Sequence, residues 1–132
     1  MTDRSGDWLR QAVADLEHAE TSAREGDYEW SCFAAQQAAE KALKALYYSL
    51  HGEPWGHSLL AMLKALPEPL KLRLAPELLD SSKALDKHYV LTRYPNGFDA
   101  GAPADYYTAR DARESIEHAK SILEFCRAEI RP

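Results

Sequence analysis

Residues 28–50 read Tyr28-Glu29-Trp30-Ser31-Cys32-Phe33-Ala34-Ala35-Gln36-Gln37-Ala38-Ala39-Glu40-Lys41-Ala42-Leu43-Lys44-Ala45-Leu46-Tyr47-Tyr48-Ser49-Leu50. Ala, Leu, Lys, Glu and Gln, the strongest helix formers, dominate this stretch, and it contains neither Gly nor Pro. At 100° per residue it resolves into two arcs. One holds Tyr28, Cys32, Ala35, Ala39, Leu43, Leu46 and Leu50, an ordinary core stripe. The opposite arc carries Trp30, Phe33, Tyr47 and Tyr48 among Gln36, Gln37, Glu40, Lys41 and Lys44. Four aromatics do not belong on a solvated face, so a second helix of the chain or a second subunit must cover them. Because isologous dimers are the commonest oligomers, the reading leans to a homodimer.

Working outward, the six glycines and seven prolines mark the ends of further helices. Residues 7–25 place Trp8, Leu9, Ala12, Val13, Leu16, Ala19 and Ala23 on one stripe, closed by Gly26, with Asp27 as N-cap of the helix at 28–51. Gly52 to His57 is a turn. Ser58 caps a short third helix over 59–66. Pro67, Pro69 and Pro76 then break the chain, with one turn near Leu70 to Leu74. A fourth helix is expected over 76–92, opening on Pro76. An irregular loop is expected over 93–107, and a last helix over 108–129 opens on Thr108 with Asp111 in a capping-box spacing. No stretch alternates as a strand would. The expected fold is therefore all-α, an up-and-down bundle of four to five helices forming a single domain over 1–132.

Composition narrows the function. Net charge is −5, so the global positive field needed to coat nucleic acid is missing, although a local basic pocket remains compatible. No apolar run approaches the ~20 residues of a membrane helix. The polar, acidic Met1 to Asp7 lacks a signal-peptide core, which points to the cytoplasm. Cys32 and Cys126 fall in apolar helical patterns and read as buried free thiols. Asp15 with His18, and Glu114 with His118, have helical spacings that can bind metal, but the four carboxylates and paired motifs of a di-metal bundle are missing. No metal and no cofactor is expected.

The string from Ser31 to Leu46 closely resembles the second helix of HEPN domains (higher eukaryotes and prokaryotes nucleotide-binding). So do Trp8 and Ala14-Asp15-Leu16 in the first helix, His57-Ser58-Leu59 opening the third, Tyr89-Val90-Leu91-Thr92-Arg93-Tyr94-Pro95 closing the fourth, and Asp111-Ala112 in the last. This resemblance implies a bundle that commonly dimerises, with a cleft near the interface. It also implies partnership with a minimal nucleotidyltransferase in a toxin–antitoxin pair. Toxic members are metal-independent endoribonucleases marked by an arginine followed four to six residues later by a histidine. Here Arg93 is followed by Tyr94, Pro95, Asn96, Gly97, Phe98, Asp99 and Ala100, and the motif lacks its histidine. The nearest upstream histidine, His88, reads as a lone surface residue. In some family pairs the partner modifies a tyrosine just after the motif histidine, which would correspond to Tyr106 or Tyr107.

Arg93 is the leading candidate for a ligand, because its planar fork suits phosphate; the competing role is an ion pair with Glu40 or Asp86. Tyr89 and Tyr94 flank it and can stack on a base or support the guanidinium. Asn96 is explained by turn geometry. Gln37, Glu40, Lys41 and Lys44 can reach a shared cleft with Arg93: the lysines toward phosphate, Gln37 toward a base edge. Glu40 alone is a poor general base near neutral pH. The first expectation is a nucleotide- or RNA-binding protein acting with a nucleotidyltransferase. Below it rank an endoribonuclease with an unorthodox base, and a helical adaptor that binds only protein through its aromatic arc.

Overall fold

The computed structural model describes residues 3–130, so the outermost ends of the expected 1–132 domain lie outside the description. Helix α1 spans Ser5–Arg24 and α2 spans Tyr28–Ser49. Three residues reverse the chain between them, and Gly26 makes this possible by taking φ 84°. The amide of Gly26 donates to the Ala23 carbonyl and that of Asp27 to the Ser22 carbonyl, the paired bonds of a Schellman ending. Asp27 stands at the expected N-cap position, yet its side chain makes no capping bond; its carbonyl accepts from Ser31 instead. The Ser31 hydroxyl donates to the Ala19 carbonyl at 2.7 Å, a buried tie between the two helices.

The remaining helical segments are α3 (Leu59–Lys64), α4 (Pro76–Asp86), α5 (His88–Leu91), α6 (Pro103–Tyr106) and α7 (Ala109–Glu129), with 3₁₀ turns at Leu70–Arg73 and Pro95–Gly97. No strand occurs among the described residues. The architecture is an all-α, up-and-down bundle in which α2 is central, packed on α1 along one side and α7 along another. Ala12 and Ala19 of α1, Ala35, Ala38, Ala39, Ala42 and Ala45 of α2, and Ala112 and Ala119 of α7 are all fully buried. Such small side chains let helix backbones approach closely. Leu43, Leu46, Leu59, Leu63, Leu85 and Ile122 fill the space that remains. Cys32 and Cys126 are buried free thiols, and burial pushes the Cys32 thiol up to about 11. No described helix is long and apolar enough to cross a membrane.

Two expectations change. The fourth helix is not continuous over 76–92: it is interrupted at Lys87, because α4 packs mainly on α7 whereas α5 turns onto α2. The loop over 93–107 is not irregular throughout. It contains the helical turn α6, and the Phe98 and Tyr106 rings stack at 4.4 Å while the Tyr106 hydroxyl donates to the Ala100 carbonyl.

At the start of α3 the three amides of Leu59, Leu60 and Ala61, which lack partners within the helix, are all paired to side chains. Ala61 N–H donates to the Ser58 hydroxyl and Met62 N–H to the Ser58 carbonyl. Leu59 N–H and Leu60 N–H donate to the two carboxylate oxygens of Asp86, at 2.8 and 3.1 Å. The last residue of α4 thereby fixes where α3 begins, and with it the position of His57.

Candidate functional site

Arg93 lies two residues beyond the end of α5, where helix carbonyls lack amide partners. Its Nε and Nη2 donate to the Tyr89 carbonyl at 2.8 and 2.5 Å. The guanidinium carbon sits 4.5 Å from the Phe33 ring centre, 4.6 Å from Tyr89 and 5.2 Å from Tyr94. Among the described residues no carboxylate pairs with it. The two anions expected as its partners are engaged elsewhere: Asp86 at the start of α3, and Glu40 with Lys44 and His57. Arg93 is thus held in place by a carbonyl and three ring faces, none of which cancels its charge.

Glu40 projects from α2 and is 5% exposed. Its carboxylate accepts from Lys44 Nζ at 3.0 Å and from Gln36 Nε2 at 3.2 Å, and His57 Nδ1 lies 3.1 Å from Oε1 and 3.3 Å from Oε2. Gln36, fully buried, also donates to the His57 carbonyl at 3.3 Å. The His57 ring stacks on Tyr89 at 4.2 Å with 19° between planes. One tyrosine therefore contacts both the imidazole of His57 and the guanidinium of Arg93.

The other candidates fall beside this cluster. Lys41 turns toward α1 and pairs with Asp15 at 2.5 Å. Gln37 donates to the Gln36 side chain at 2.7 Å. A groove of about 270 Å³ between α1 and α2 is lined by Asp15, His18, Trp30, Phe33, Gln37 and Lys41, so Lys41 and Gln37 share it with Phe33, the ring that also meets Arg93. A larger groove of about 540 Å³ runs past Arg4, Asp7, Trp8, Arg10 and Lys41, but Asp7 pairs with both arginines there. Lys44 faces Glu40 and lies 5.9 Å from the Trp8 ring. Of the aromatic arc on α2, Tyr47 donates to the Met62 carbonyl, Tyr48 packs on Trp8 and Phe33 packs on Tyr89. The chain covers part of its own arc, and Trp30 remains 50% exposed.

His88 is not a lone surface histidine. It is half-buried, its Nδ1 lies 2.8 Å from the Tyr107 hydroxyl, and burial lowers its pKa against an opposing push from Asp111. Burial likewise raises the Tyr107 phenol. Tyr106 is about half exposed. His118 bonds to the Ser81 hydroxyl. Among the described residues no three His, Cys, Asp or Glu side chains converge in a group that could hold a metal ion.

Residues 5–129 match the HEPN domain. The chain belongs to the HEPN family. It is 27% identical over 125 residues to the Methanocaldococcus jannaschii protein named "Putative toxin MJ1304", with 89% of this chain and 82% of that one covered. Its fold matches the crystal structure of TT1696 from Thermus thermophilus with a TM-score of 0.94, at 44% identity over 97% of this chain and 99% of that one. It also matches ST0689, described as an archaeal HEPN homologue, with a TM-score of 0.82 and 39% identity over 98% of this chain and 100% of the other. A HEPN domain protein from Thermotoga maritima matches with a TM-score of 0.73 and 32% identity, over 92% and 95% of the two chains.

In this HEPN chain, sequence reasoning overlooked His57 as a site residue. His57 was legible only as the residue before a helix cap. Its partner Glu40 lies 17 positions upstream on another element, a separation that no periodicity reveals. The available signal was Glu40 itself, a carboxylate set among aromatics on an arc that had to be covered, and therefore in need of a cation or donor.

Proposed function

We propose that this HEPN protein binds the phosphate of a nucleotide or of RNA at Arg93, with bases stacking on the neighbouring aromatic rings. It acts as a homodimer beside a minimal nucleotidyltransferase, as one component of a toxin–antitoxin pair. The observation that carries the binding site is the state of Arg93: charge intact, orientation fixed, three N–H donors left over after the Tyr89 carbonyl is served. Tyr94, 49% exposed, and Trp30 supply ring faces within the same region. Lys41 and Gln37 line the adjoining groove, where a backbone phosphate and a base edge would lie. Similarity to a protein named as a putative toxin supports the toxin–antitoxin setting. The exposed Trp30 and Val90 favour a second copy as the cover of this face.

Titration of a fluorescent single-stranded RNA tests the reading. Arg93→Ala weakens binding roughly tenfold and lowers the salt slope by about 0.7 for each phosphate it no longer neutralises. Absence of binding at micromolar protein, or equal binding by Arg93→Ala, refutes it. A second reading, an endoribonuclease, is favoured by one observation, the contact of His57 Nδ1 with the Glu40 carboxylate.

A further inference from the structure

We infer that the seam between α1 and α2 holds a second subsite, around Trp8 and Arg10, which together with Arg93 binds a single strand of RNA several nucleotides long. The inference rests on the RNA-binding reading and deepens it, from one phosphate at Arg93 to a strand with a length and a path.

Two grooves follow one another along this seam. The one past Trp8 and Arg10 and the one past Trp30 and Phe33 both include Lys41 in their walls. Asp15 marks the junction: Gln11 Nε2 donates to its Oδ1 at 2.9 Å and Lys41 Nζ to its Oδ2. A side chain from each groove is thus tied to one carboxylate, which fixes how the first groove runs into the second. The two form one track, and Phe33 in its second half meets the Arg93 guanidinium at 4.5 Å.

The chain as a whole carries a charge of −5. The Trp8 groove departs from that balance, because Arg4, Arg10 and Lys41 stand there against Asp7. Asp7 accepts from both arginines, yet one carboxylate cancels one guanidinium, so a net positive charge remains. The Arg10 side chain is 80% exposed and that of Arg4 64%, which leaves N–H donors within reach of an anion from solvent. A local excess of cations in an acidic chain favours an anionic ligand.

Each half of the track also has rings. Trp8 packs on Tyr48 at 5.4 Å, and Trp30, half exposed, meets Phe33 edge-on at 6.2 Å. Cations set between ring platforms suit a single strand, with its phosphates on the cations and its bases on the rings. A duplex keeps its base faces stacked inside, and an acidic peptide has no bases to stack. From Asp7 to His18 helix α1 rises about 17 Å at ~1.5 Å per residue. A strand at ~3.4 Å per nucleotide covers this distance with about five nucleotides, and a stretched one with fewer.

The test uses the full chain and fluorescent single-stranded RNA of about two, six and eight nucleotides, read by anisotropy. Affinity is expected to rise roughly tenfold or more from two to six nucleotides, and no more than about threefold from six to eight, where only the number of registers grows. Arg10→Glu lowers six-nucleotide binding roughly tenfold and leaves two-nucleotide binding within about twofold, whereas Arg93→Ala weakens both. Arg110→Glu is the matched control. Arg10 and Arg110 are about equally exposed and each pairs with a nearby carboxylate, but Arg110 lines neither groove, so its reversal leaves both affinities unchanged. A polyglutamate peptide matched in charge to the six-nucleotide strand binds at least roughly tenfold more weakly, having no base to stack. No gain from two to six nucleotides, or equal losses in Arg10→Glu and Arg110→Glu, overturns the subsite and leaves Arg93 binding intact. Polyglutamate binding as tight as RNA overturns it in favour of an acidic protein partner. Absence of RNA binding at every length overturns both readings.

Discussion

Asp86→Ala is the sharpest test of how the fold delivers His57 to its place. The carboxylate accepts from Leu59 N–H and Leu60 N–H, and the Ser58 hydroxyl donates to it at 3.2 Å. Deleting it leaves two helix-start amides with no protein acceptor. The site is only partly buried, so water replaces part of the loss, and each amide is worth about the ~1 kcal/mol of an N-cap bond rather than the full value for a buried charge. The expected loss is about 2 kcal/mol, which with about 2.1 cal/mol/K per residue lowers the thermal midpoint by roughly 7 °C. Ser58→Ala, losing one amide acceptor, costs about 1 kcal/mol. Since Ser58 and Asp86 touch, the double variant is expected to depart from additivity by about 0.5 kcal/mol or more. Urea denaturation followed by helical circular dichroism measures all three. A loss under about 0.5 kcal/mol for Asp86→Ala would show that α3 needs no anchor from α4, and the account of His57 positioning would fail with it.

Two further outcomes are expected. His88 has its folded pKa depressed by burial, so its contribution to stability is fully present above the ordinary histidine value of about 6.5 and is lost as pH falls through the lower folded value. The urea midpoint of the native chain should therefore drop between about pH 7.5 and pH 5 more steeply than that of His88→Asn; identical slopes would contradict the assignment. Phe33→Glu places a carboxylate where the Arg93 guanidinium now meets a ring at 4.5 Å. An ion pair forms, RNA binding falls as far as in Arg93→Ala, and Phe33→Leu serves as the uncharged control. Native-like RNA affinity in Phe33→Glu would mean that the charge of Arg93 is not what binds.

The helix order was readable because Gly26 and the proline cluster near Pro67 mark breaks that no other local chemistry explains, and because Thr108 and Asp111 form the capping box their spacing implies. The break at Lys87 was not readable. Lys87 keeps a right-handed helical backbone, and the change there is one of packing partner from α7 to α2, which leaves no mark on local propensity. At the site, Arg93 was legible from its place between a helix end and Tyr94-Pro95. Its surroundings were only half legible: Tyr89 at i−4 was foreseeable, Phe33 was not, because sixty residues separate it from Arg93. Lys41 and Lys44 differ by three positions on one helix, yet one faces Asp15 on α1 and the other Glu40 on its own helix. That divergence depends on which seam between helices each side chain enters, and one helix considered alone cannot tell.

The packing of α2 also explains why core and site share this helix. Its alanines bring α1 and α7 close, so its long polar side chains have nowhere to go but the seams. A charge in a seam loses water and must find a partner. Asp15 takes Lys41; Lys44, Gln36 and His57 converge on Glu40. The helix thus absorbs its own charges pair by pair. Arg93, just beyond α5, meets α2 at a ring, Phe33, and among the described residues no carboxylate pairs with it. Its charge survives because the position facing it is aromatic. On the proposed reading, an anion from outside the chain, carrying a base to stack and a phosphate to be held, would complete what the interior leaves unpaired.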